Sequence, residues 1–166
     1  VTIRQTTADD ALALRALRRR ALTLHPPVFG ADITEEERHP ERFWQERATG
    51  SDRQAIFVAV DDDGALVGMA GMVGDGRIKT GHVAMLWGVF VVPEARGQGL
   101  SHQLVEAALH WARAAGFARV KLAVLVDNAA ALCVYLRCGF TVYGVEPDVI
   151  RVAGVGHDEL LMTRPL

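Results

Sequence analysis

The sequence predicts a single α/β domain of the α+β kind, a mixed sheet with helices on its faces. Three observations lead there. The 166 residues are half hydrophobic, enough for one sizeable core. Short alternating or fully apolar runs are interleaved with stretches of helical periodicity. The resulting order, β-α-α-β-β-β-α-β-α-β-β, is not the regular alternation of a doubly wound sheet.

Each element has its own signal. "VTIRQTT" alternates as a strand, and Thr7 with Asp10 resembles a capping box before a helix carrying Leu12, Leu14, Leu17 and Leu22. Pro26 and Pro27 stop that helix, and "VFGADITEEERHP" follows as a loop or irregular helix before a short helix over "PERFWQERATG". "QAIFVAVDDDGALVGMAGMVG" reads as a hairpin turning at Asp62, Asp63 and Gly64. "HVAMLWGVFVV" is apolar on both faces, as a central strand would be. Beyond the glycines at 97 and 99, Leu100, Leu104, Ala107, Ala108 and Trp111 recur at helical spacing up to Gly116. A strand over "RVKLAVLV", a helix from Asn128 to Arg137 and two strands over "FTVYGVEP" and "DELLMTRPL" complete the chain. No repeat or linker divides it, so residues 1–166 read as one domain.

A formal charge of −2 supplies no broad basic field for nucleic acid or anionic membrane. No run approaches a membrane span, and "VTIRQTTADD" lacks the apolar core of a secretory leader, so a soluble cytoplasmic protein is expected. The two cysteines, Cys133 and Cys138, are too few for a disulfide framework and read as buried thiols.

"VVPEARGQGLSHQL" passes from strand to helix through two glycines. A helix start offers unpaired amides and the positive end of its dipole, so Gly97, Gln98, Gly99, Leu100 and Ser101 can form an anion nest, with Arg96 steadying the loop or adding charge. The stretch is neither a dinucleotide fingerprint, since His102 takes the third glycine's place, nor a P-loop, since no Gly-Lys-Ser/Thr follows. An ordinary strand-to-helix turn remains the competing explanation. Downstream, Asn128 begins a helix and Tyr135 lies two turns later on the same face. Alone, the first reads equally as a helix cap and the second as a core aromatic.

Together "VFVVPEARGQGLSHQLVEAAL" and "LVDNAAALCVYLRCGFTVYGVEP" resemble the acetyl-CoA-binding core of the GNAT N-acetyltransferases, and the element order matches throughout. The resemblance implies a mostly antiparallel sheet and acetyl-CoA as cosubstrate, with no metal. The family pattern falls on Arg96, Gly99 and Ser101, serine replacing the usual small apolar residue. By the same resemblance, main-chain groups of Gln98 to His102 hold the pyrophosphate, Phe90 and Val91 meet the pantetheine and thioester at a bulged, splayed strand, Asn128 contacts the pantetheine arm, and Ala131 lets the helix approach it. Tyr135 would protonate the departing thiolate after direct attack by a primary amine, from a small molecule or a peptide.

The glutamate that many relatives carry on the strand matching "HVAMLWGVFVV" is absent. His82 at that strand's start, one of Glu35 to Glu37 orienting a cationic amine, or deprotonation through water are the alternatives. Cys133 lies off the Asn128–Tyr135 face without an activating histidine, which argues against a covalent intermediate. A noncatalytic acyl-CoA sensor and a purely structural domain are the competing functions. The terminal segment resembles one that supports the acceptor side and, in some members, a homodimer.

Overall fold

The computed structural model describes residues 1–166. Its seven-stranded sheet has the order β1-β2-β3-β4-β5-β7-β6. The strands are β1 (Thr2–Gln5), β2 (Gln54–Val60), β3 (Leu66–Gly74), β4 (Val83–Val91), β5 (Arg119–Leu125), β6 (Thr141–Val152) and β7 (Val155–Pro165). The helices are α1 (Ala11–Leu24), the single turn α2 (Ile33–Glu36), α3 (Glu41–Thr49), α4 (Leu100–Ala114) and α5 (Ala129–Arg137). Every strand pair is antiparallel except β4 with β5. No helix is long and apolar enough to cross a membrane.

The first turn shows how local chemistry sets an entry point. The Asp10 carboxylate accepts from the Thr7 amide at 2.8 Å and from both terminal nitrogens of Arg4 at 2.7 Å, tying β1 to the start of α1. The stripe that α1 buries differs from expectation. Leu12 is 65% exposed, whereas Arg18, one turn beyond Leu14 on the same face, is only 5% exposed. Leu14, Leu17, Ala21 and Leu22 supply the rest of the stripe.

α4 buries Leu100, Leu104, Val105, Ala108, Leu109 and Ala112 against the sheet, and Gly68 of β3 lies under Leu104. On the opposite sheet face Gly71 lies under Trp87. β6 runs five residues past the expected "FTVYGVEP", to Val152. Ala153 and Gly154, both at positive φ (50° and 81°), make the tight turn that returns it as β7.

β4 creates the opening that positions the site. From Met69 to Gly71 on β3, the partner moves three residues, from Phe90 to Trp87, so β4 carries one extra residue there. Gly88, inside that bulge, has φ 64°. On the other side only Val83, Ala84 and Met85 pair with β5, opposite Arg119, Val120 and Lys121. Beyond Met85 the two parallel strands separate.

Candidate active site

Where β4 and β5 part, a cleft of about 560 Å³ opens, lined by Phe90, Val91, Arg96, Ser101, Asn128, Ala131 and Tyr135 among others. These seven sequence-selected residues thus converge although they lie on β4, the following loop, α4 and α5, whereas Gly97, Gln98, Gly99, Leu100 and His102 are not part of the cleft lining. At one end stands the start of α4. Gly97 and Gly99 are left-handed (φ 82° and 73°), a conformation that glycine adopts without steric cost. The amides of residues 97–102 donate to no acceptor within the protein; the first satisfied one is Gln103, which bonds the Gly99 carbonyl at 3.1 Å. A row of orphan N–H groups at the positive end of a fifteen-residue helix has the donors and the potential that an anion requires.

Arg96 does the steadying. Its Nε donates to the Val91 carbonyl at 3.1 Å, and its Nη2 donates to Nε2 of His25 at 2.9 Å, leaving the His25 proton on Nδ1. Burial, with Arg96 adding to it, lowers the His25 pKa and keeps the ring neutral. The carbonyl of Val91, one of the two residues expected to meet the pantetheine, therefore accepts from the loop. His25 also lines the cleft, a residue the sequence reading passed over.

Asn128 caps α5, its Oδ1 accepting from the Ala131 amide at 3.2 Å, and it lines the cleft as well. Both sequence readings of this side chain are compatible, because the amide nitrogen is not used by the cap. Tyr135 is 8% exposed and packs edge-on to Phe140 at 6.0 Å. Burial, and to a lesser degree Cys138, raises the phenol above its usual range, so it keeps its proton at neutral pH.

A second cavity of about 440 Å³ opens at the bulge. It shares Val28 and Phe29 with the first, and Trp87, Gly88, Arg18, Arg47, Gln54 and Glu159 line it. Glu36 lies between the two arginines, accepting from Arg18 Nε and Arg47 Nη1, each at 3.2 Å. This bears on the expectation that one of Glu35 to Glu37 orients a cationic amine: Glu35 and Glu37 are exposed, and Glu36 is buried and already neutralised by arginine, so it does not fit that role. His82 is exposed at the paired end of β4, lines neither cavity and does not fit the role of base. Glu159 does carry a carboxylate to this cavity. Burial, then the charge of Glu146 opposite it, raises its pKa.

Of the two cysteines only Cys138 is buried; Cys133 is exposed, contrary to expectation, because its position on α5 faces solvent. His102, Glu106 and Cys138 bring potential ligand atoms within 4.8 Å of one another. Burial and Glu106 push the Cys138 thiol up to about 12, which opposes the thiolate a metal would need.

A sequence profile of the acetyltransferase (GNAT) family matches residues 14–140. An aminoglycoside N(6')-acetyltransferase type 1 of Klebsiella aerogenes is 38% identical over 90 residues, 52% of this chain and 59% of that protein. A mycothiol acetyltransferase of Saccharopolyspora erythraea is 36% identical over 142 residues, 84% of this chain and 43% of its own length. The chain thus spans about half the length of these relatives. Among solved structures, an acetyltransferase from Streptococcus pneumoniae superimposes with a TM-score of 0.84 at 28% identity, covering 99% of both chains.

Proposed function

The chain belongs to the GNAT acetyltransferase family, and from that premise we propose that it transfers the acetyl group of acetyl-CoA to a primary amine by direct attack in a ternary complex. The observation that carries this is the unsatisfied run of amides at residues 97–102, opening onto a cleft that leads to Tyr135. A diphosphate supplies the negative charge and acceptor oxygens that such a run lacks. The residues present therefore fit coenzyme A.

Gln98 to His102 hold the diphosphate through main-chain N–H groups, with Gly97 giving the loop its close approach. Arg96 fixes that loop by its bond to the Val91 carbonyl. The open edge of β4 near Phe90 and Val91 lies alongside the pantetheine, Asn128 reaches it with its free amide nitrogen, and Ala131 leaves room for it. A main-chain N–H at the β4 bulge faces the thioester carbonyl, where a donor is worth about 10²–10³ in rate.

An alkyl amine with a pKa of about 10.4 reaches the site as ammonium and must lose a proton before attack. Glu159, or water in its cavity, receives that proton. The nitrogen forms a bond to the acyl carbon, the carbon–sulfur bond breaks, and the sulfur leaves as thiolate. The Tyr135 hydroxyl protonates that sulfur and is restored by the second proton of the amine nitrogen, relayed through water, so that the products are a neutral amide and a free thiol.

The test is thiol release from acetyl-CoA across a panel of amines, beside thermal stability with and without CoA. Amine-dependent release and a CoA-dependent rise in melting temperature are expected. Stabilisation without amine-dependent release would make the chain an acyl-CoA sensor. No stabilisation by CoA would overturn both and leave a structural domain.

A further inference from the structure

Resting on the transfer reading above, we propose that the acceptor is a primary amine that also carries an anionic group, with the anion held by Arg18 beside Arg47 and the ammonium directed toward Glu159.

The second cavity has an imbalance of charge that the protein does not itself resolve. Two guanidinium groups, Arg18 and Arg47, share the single carboxylate of Glu36. Both also approach the Trp87 ring, whose centre lies 5.6 Å from the Arg18 guanidinium carbon and 4.8 Å from that of Arg47. Trp87 and Phe29 offer their faces to Arg18, but ring faces do not use its N–H groups. Its Nη1 is buried and without a hydrogen-bond partner. That nitrogen lies 3.5 Å from where a Cβ on Gly88 would project, so it faces the bulge at which the acyl carbon would sit. A buried charged donor left unpaired is costly, and a ligand oxygen removes that cost.

Glu159 lines the same cavity and forms no ion pair with either arginine, so opposite charges stand across the space without closing it. A zwitterion has the matching layout. An amine without an anion would satisfy Glu159 and leave Nη1 of Arg18 unpartnered. A carboxylate, phosphonate or phosphinate supplies the same acceptor oxygens, and the bidentate geometry of guanidinium suits each.

The experiment compares matched acceptors on the full chain with acetyl-CoA: methionine against 3-(methylthio)propylamine, phenylalanine against 2-phenylethylamine, and 2-aminoethylphosphonate against propylamine. For at least one anion type, kcat/KM should favour the anionic member by about 10–100-fold, the worth of a charge-assisted hydrogen bond. Arg18→Lys should erase that preference. Arg47→Gln, at a more exposed position, should narrow it by leaving Arg18 and Glu36 in balance, and it serves if the Arg18 variant does not fold. Equal or better transfer to the uncharged amines would overturn the proposal while leaving amine acetylation intact. Transfer to no member of any pair would remove both.

Discussion

The Trp87 indole covers Gly71 so closely that a Cβ built on Gly71 would lie 2.2 Å from Cε2 of the ring. The two are cross-strand partners on β3 and β4, next to the bulge, and the ring can hold its place beside Arg18 and Arg47 only because residue 71 has no side chain. Gly71→Ala should therefore lower stability by about 1–3 kcal/mol through overpacking. It should also raise the acceptor KM more than it weakens CoA binding, since the displaced ring belongs to the second cavity. Thermal melts with steady-state kinetics in both substrates check this; unchanged kinetics would show that Trp87 does not shape the acceptor site.

Gly99 presents the opposite situation, with a left-handed backbone and no crowding beyond a distant Gln103 nitrogen at 3.9 Å. Gly99→Ala costs about 1–2 kcal/mol if the loop keeps its shape, or misdirects the amides if it does not. CoA affinity should fall by about tenfold or more, as when a charge-assisted bond is lost. Gly64→Ala is the control, because Gly64 has φ 83° in the β2–β3 turn, away from the cleft. It should cost similar stability with no change in CoA affinity by calorimetry.

The Tyr135 hydroxyl makes no hydrogen bond within the protein, burial and Cys138 being the only influences on its titration. Its removal leaves no partner stranded. Tyr135→Phe should therefore keep the melting temperature and CoA affinity nearly unchanged while lowering kcat by about 10²–10⁴, the range for general acid catalysis. Full activity across pH would exclude Tyr135 from the chemistry.

The half of the site formed by these residues was legible because its signals are local. Two glycines before a helix, or Asn and Tyr two helical turns apart, have geometric meaning wherever the chain goes. The second cavity, the proposed acceptor half, depends on residues separated by up to most of the sequence: Arg18 on α1, Glu36 on α2, Arg47 on α3 and Glu159 on β7. One clue did exist. Arg18 occupies the position four residues after Leu14 and four before Leu22, where a buried stripe calls for an apolar side chain. Glu36, one of three consecutive glutamates, gave no such sign; only tertiary packing distinguishes it from its neighbours.

Glu159 makes stability and activity pull in opposite directions. Its folded-state pKa is raised above the usual 4.5 by burial and then by Glu146. Glu146 stands directly opposite on β6, while β5 offers Leu125 and the cavity wall brings Arg18 and Arg47 beyond ion-pair reach. A carboxyl group with a raised folded pKa contributes fully to stability below its unfolded value and loses that contribution as pH rises through the folded one. Glu159→Gln should accordingly raise the melting temperature at pH 7, where the native charge is unfavourable. If the carboxylate receives the amine proton, kcat/KM of the native protein should fall as pH drops through that raised pKa. The same substitution should then lower kcat/KM and abolish that acid limb. A variant that is stabilised yet retains the limb would transfer the role to water.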